Sequence, residues 1–155
     1  MKKWLDGFER VVDWLEIAIT ILIVGVIGLQ IITRSIFNLP LDFPEEVACF
    51  SLIVMVFVGL PIVERYDSHL RVEFLEERLG PGAKKVFRII SRILILGCVA
   101  GVLAGEAQLF PQIKVLKTHA AGIPYAWLHT VMIVFSVLWG IFALLGLIRD
   151  IRKKV

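Results

Sequence analysis

Charge is scarce in this chain, and its scarcity is local. Only 20% of the 155 residues are Asp, Glu, Lys or Arg, while 58% are apolar. A soluble domain of ordinary composition is about 45–50% apolar and about 25% charged. Cysteine is nearly missing. Cys49 and Cys98 both sit inside apolar runs and share no C-x-x-C spacing, which excludes a disulfide framework or a thiolate metal centre. Both read as small apolar fillers of the kind usually found buried. Histidine is limited to His69, His119 and His129. No two of these fall in the bodies of different apolar runs at matching depth, which opposes a bis-His haem and the redox-anchor role it would serve. There is no Walker-type phosphate loop and no nucleophile–base constellation. A net charge of +3 comes from basic residues beside apolar runs, so the pI near 9.0 points to lipid headgroups and not to nucleic acid. No cofactor or metal is expected.

What remains is hydrophobic length. Mean hydropathy is +0.84, and the reading is an all-α membrane protein with four transmembrane helices in a single domain. In residues 1–16, Trp4, Leu5, Phe8, Val11, Val12 and Leu15 recur at helical spacing while Asp6, Glu9, Arg10 and Asp13 take the other face, the pattern of an amphipathic helix at the membrane surface. This segment is too acidic for a signal peptide and is expected to be retained. An uncharged first span covers 17–33, and Arg34 ends it. Asn38-Leu39-Pro40 signals a turn. Asp42, three residues before Glu45, opens the second span at 45–64, with Pro44 just inside it. The uncharged core of that span, Val47 to Val63, has 17 residues, about 25 Å of helix at about 1.5 Å per residue. With interfacial ends this crosses a bilayer core of about 30 Å. A second surface helix is expected at 70–79, ended by Gly80-Pro81-Gly82. The third span is placed at 87–110, with Arg88 and Arg92 reaching back to the headgroups. A polar connector runs from Pro111 to Pro124, and the fourth span occupies 126–148.

Charge asymmetry sets orientation. With Arg92 set aside inside a span, 13 Lys and Arg residues fall at the termini and second connector, against three in the first and third connectors. The positive-inside rule then puts both termini in the cytoplasm.

Few residues could carry chemistry. Glu45 and Glu46, at the start of the second span, read as helix-capping acids with Arg34 as a neighbour, or as a contact to another subunit. Glu106 is an ionisable group in a membrane helix, a functional candidate by default. Its position near the outer end of the span suits an interfacial acid, with a subunit contact or a proton- or sodium-coupling carboxylate as the alternatives. Gly97, Gly101 and Gly105 make two consecutive G-x-x-x-G steps, which allow close helix packing within the bundle or against a partner. Trp4, Trp14, Tyr66, Tyr125 and Trp127 suit interfacial aromatic belts.

The segment from Arg34 to Glu73 resembles the small membrane (Q-type) subunit of tripartite ATP-independent periplasmic (TRAP) transporters. The resemblance is carried by Arg34-Ser-Ile-Phe37, Pro40, Phe43-Pro44-Glu45-Glu46 and His69-Leu-Arg-Val72-Glu73. It extends by layout through Gly122-Ile-Pro124. Phe43-Pro44 stands where a Trp is common in that family, and Glu73 where Asp is common. The resemblance implies a non-catalytic scaffold in a bacterial inner membrane. It also implies a large (M-type) membrane subunit that moves sodium and an organic acid, carboxylate or sialic-acid-like, and an extracytoplasmic binding protein that delivers the substrate. The rival reading from the residues alone is a small self-assembling proton-coupled exporter with Glu106 as its coupling acid.

Overall fold

The structure, a computed structural model, describes residues 2–39, 41–65 and 81–152. It contains four long helices: α1 Lys2–Phe37, α2 Phe43–Arg65, α3 Pro81–Ile113 and α4 Tyr125–Arg152. All four are long and apolar enough to cross a membrane, through Glu9–Phe37, Phe43–Glu64, Ala83–Ile113 and Tyr125–Arg152. The chain is an all-α, multi-pass membrane protein. Among the described residues, β pairing is confined to the single bridge between Lys117 and Pro124.

The helix ends follow from local chemistry. Helix α1 runs through residue 16 without a break, so the expected boundary between surface helix and first span is a change of composition and not of backbone. Nothing there could interrupt it, since the segment has no proline and the Thr20 hydroxyl returns a bond to the Glu16 carbonyl at 2.8 Å. The helix closes at Asn38, whose φ of 51° is left-handed, while the Leu39 N–H donates to the Thr33 carbonyl at 3.3 Å. Asn is one of the few residues that takes this conformation at a helix end cheaply. Pro44 lies in the first turn of α2, where a missing N–H costs nothing. Helix α2 also passes through Pro61, and α3 passes through Pro111 to end at Ile113, slightly beyond the expected start of the connector. The expected helix at 70–79, with Tyr66 and His69, lies outside the described residues.

The chain divides into two compact units, Met1–Gly59 with Leu109–Met132, and Leu60–Gln108 with Ile133–Val155. In the first, Val12, Ile19, Val58 and Leu128 are buried, and the rings of Phe50 and Tyr125 meet at 5.4 Å with a 51° tilt. Gly59 lets α1 lie close, because a Cβ there would sit 2.7 Å from Glu16 Oε1. In the second unit Val99 and Ala143 are buried, and Gly140 receives the Val99 side chain.

Candidate functional site: two polar anchors

Among the described residues, each unit has a concentration of buried or hydrogen-bonded polar groups. In the first it is the connector between α3 and α4. Past Ile113 the chain leaves the helix, makes a turn, and is held in a tight loop by its own backbone. Thr118 N–H donates to the Ile123 carbonyl at 2.9 Å and Tyr125 N–H to the Leu116 carbonyl at 3.1 Å. The Thr118 hydroxyl accepts from Ile123 N–H at 3.0 Å. Gly122 supplies the left-handed corner, φ 67°, at no Cβ cost. The loop turns two amide hydrogens toward α2. There the Glu46 carboxylate accepts from Ala120 N–H at 3.1 Å and from Ala121 N–H at 2.8 Å. Adjacent N–H groups converging on one carboxylate form an anion-binding concavity. Here its anion is a side chain of the same chain.

The second anchor is ionic. Arg92 lies on α3 with 1% of its surface exposed. Its Nε donates to Asp150 Oδ2 on α4 at 2.9 Å, and its Nη1 pairs with Glu64 Oε1 near the end of α2. Glu64 and Asp150 are themselves buried. Gly146, one turn before Asp150, makes this geometry possible, since a Cβ there would fall on the guanidinium. Two turns before Arg92 on the same face, Lys85 Nζ donates to the Ile151 carbonyl at 3.3 Å, satisfying an open acceptor in the last turn of α4. One guanidinium, with its planar fork of donors, thus joins three helices.

The residues singled out from sequence are not brought into one place. Glu46 belongs to the first anchor, and its neighbour Glu45 is exposed. Arg34 is exposed in the last turn of α1. Glu106 is buried on α3 and has interactions within the chain. Gly97, Gly101 and Gly105 face open space, with no atom within 4 Å of a Cβ built on any of them, so the stripe packs against nothing described here. Trp14 and Trp127 are 68% and 71% exposed, while Tyr125 is drawn into its ring contact. The side chain of Trp4 lies outside the described residues.

Two expectations need correction. Arg92 does not reach back toward headgroups. Two carboxylates on neighbouring helices meet its charge, and pairing in place removes the need to extend. The cysteines are not buried fillers either. Cys49 and Cys98 are both exposed on helix surfaces, because a chain surrounded by lipid has no need to bury small apolar side chains.

Sequence reasoning missed Glu64, Asp150 and Thr118 as site residues. A signal for the first two was available. In an up-and-down arrangement of four spans, the ends of spans two and four share a side with the start of span three, so positions 64, 92 and 150 lie near one another in depth.

Four helices long and apolar enough to cross a membrane define a membrane-embedded helical protein. Residues 23–153 match the family described as Tripartite ATP-independent periplasmic transporters, DctQ component. The chain belongs to that family and is a small TRAP permease subunit. It is 20% identical over 152 residues to a Haemophilus influenzae protein named as a TRAP transporter small permease, covering 98% of this chain and 90% of that protein. It is 23% identical over 160 residues to the sialic acid TRAP transporter small permease protein SiaQ of Vibrio cholerae, covering 99% and 91%. It is also 22% identical over 136 residues to the sialic acid TRAP transporter permease protein SiaT of Haemophilus influenzae. That alignment spans 88% of this chain but 22% of the larger protein.

Proposed function

We propose that this chain is the non-catalytic scaffold of a sodium-coupled importer of organic acids, carboxylates or sialic-acid-like. It would anchor a large TRAP membrane subunit that carries the moving parts, and an extracytoplasmic binding protein would deliver the substrate. The assembly would sit in a bacterial inner membrane, and the distribution of Lys and Arg supports cytoplasmic termini. The Arg92 triad carries the scaffold reading. A guanidinium shared by two buried carboxylates on separate helices ties those helices to one another, which supports a fixed framework over a sliding one. The alignment with SiaT supports a larger partner, since the matched segment is 22% of that permease. The open Gly97-Gly101-Gly105 face of α3 is assigned to contact with the large subunit, where small residues permit close approach.

The test is reconstitution. The chain coexpressed with a TRAP large subunit from the same source should copurify with it. The complete complex in liposomes should accumulate an organic acid only with an inward sodium gradient and binding protein, and the chain alone should move nothing. Accumulation by the chain alone would overturn the scaffold reading.

The burial of Glu106 favours a second reading, an exporter coupled through that acid. Glu106→Gln separates the two, leaving uptake by the complex largely intact if the chain is a scaffold and abolishing transport if Glu106 is a coupling acid.

A further inference from the structure

The first unit carries an open cleft of about 480 Å³ between α1 and α2. Its walls are Ile23 and Ile27 on one side and Ala48, Cys49 and Leu52 on the other, and its polar end is marked by Gln30 and Glu45. The small residues Ala48 and Cys49 leave the space open. In a bilayer such a space does not stay empty, since its lining would forfeit dispersion contacts. Water has too few partners along an apolar wall to occupy it. Hydrocarbon is the occupant that suits the walls.

The polar end narrows the choice. Ile23, Ile27, Gln30 and Arg34 follow one another at helical spacing on α1, so Arg34 continues the stripe that lines the cleft, about 6 Å beyond Gln30 at about 1.5 Å per residue. Arg34 and Glu45 are both exposed, and among the described residues neither has a charged partner. The Glu46 carboxylate is already taken by Ala120 and Ala121. One end of an alkyl-sized groove therefore carries an anion and an amide acceptor, with a cation one helical turn beyond on the same stripe of α1.

We propose that this cleft is a binding site for a phospholipid with a primary-amine headgroup, of the phosphatidylethanolamine class. The acyl chain lies along Ile23, Ile27, Ala48, Cys49 and Leu52. The ammonium donates to the Glu45 carboxylate and the Gln30 side-chain carbonyl, and the phosphate accepts from the Arg34 guanidinium. A choline headgroup has no N–H to donate. A phosphoglycerol headgroup has no cation and would leave Glu45 facing a second negative charge. The inference requires only that α1 and α2 lie in the bilayer, and it stands apart from the transport reading.

Native mass spectrometry of the full chain, released from nanodiscs of phosphatidylethanolamine, phosphatidylcholine or phosphatidylglycerol, tests it both alone and copurified with the large subunit. Phosphatidylethanolamine should be retained about tenfold better than either competitor, the scale of about one charge-assisted hydrogen bond. Glu45→Gln and Arg34→Gln should each remove most of that preference, and Ala48→Phe should displace the lipid by filling the groove. Size-exclusion profiles would show that the variants remain folded. Equal retention of the three lipids, which marks annular lipid only, would overturn the proposal. So would a preference untouched by all three variants. Retention that vanishes whenever the large subunit is bound would also overturn it, by making the cleft a partner's seat.

Discussion

At the α3–α4 connector a carboxylate is satisfied by backbone amides of an ordered loop. At Arg92 a guanidinium is shared by two side-chain carboxylates drawn from two other helices. The first anchor lies at a helix start, where water can reach some of its bonds. The second is enclosed, with all three charged groups nearly without exposed surface. Loss of a partner is tolerable in the first case because solvent can replace it. In the second, burial keeps solvent from doing so, and the cost falls mainly on whichever charge remains. Dependence on neighbours, more than the number of bonds, should separate the two regions experimentally.

The largest effect is expected at Arg92. Arg92→Met takes the buried guanidinium away from Glu64 and Asp150, leaving Asp150 the longer contact to Arg149 Nε at 4.0 Å. Breaking a buried pair in this way costs about 3–5 kcal/mol, enough to remove most folded protein from detergent extracts. The sharper experiment replaces all three residues, as Glu64→Leu, Arg92→Met and Asp150→Leu together. Such replacements are often neutral or stabilising by about 1–4 kcal/mol. Thermal unfolding of the triple variant near or above that of the natural chain would mean that the triad fixes arrangement and adds little net stability. A triple variant as weak as the single one would mean that the ion pairs themselves stabilise the fold.

Gly146→Ala should come next. Its added methyl falls on the guanidinium and must push it off its carboxylates or push α4 away, an overpacking cost of about 1–3 kcal/mol. The matching change in the first unit, Gly122→Ala, introduces no clash and should cost less, through the left-handed backbone alone, about 1 kcal/mol. If the two glycine variants melted together, the enclosed and open anchors would not differ as described. A smaller effect is expected from Glu46→Ala. Hydrogen exchange at Ala120 and Ala121 should accelerate toward the rate of an open loop, while amides in the second unit, around Arg92, keep their protection.

The same contrast explains how much of the molecule was readable from its residues. The four helices follow from runs of apolar residues bounded by charge, Asn and Pro, all local signals. Glu46 was legible as an acid at a helix start, although its acceptor role toward Ala120 and Ala121 depends on a loop closed by Thr118 and Gly122, which no local pattern announces. Arg92 was visible as a charge within an apolar run but was assigned the wrong resolution, because headgroups and carboxylates neutralise an arginine equally well on paper. Choosing between them requires the arrangement of helices, and with it Glu64 and Asp150, which lie 28 and 58 residues away. Gly146 was silent for the same reason, since its meaning is the guanidinium beside it.

The smallest expected effect in the isolated chain is at Gly101. A Cβ at Gly101 meets no atom within 4 Å, so unfolding of Gly101→Leu should match the natural chain or improve slightly, because glycine within a helix costs about 1 kcal/mol relative to good helix formers. Copurification with the large subunit should nevertheless fall if α3 offers this face to a close-packed partner helix, since Leu would hold the two backbones apart. Both outcomes are needed. A destabilised isolated chain would mean that the stripe packs inside the subunit after all. Normal stability with undiminished copurification would give this face to lipid and move the search for the partner surface to the exposed length of α1, of whose apolar span only 6% is buried against 17% in α2 and α4.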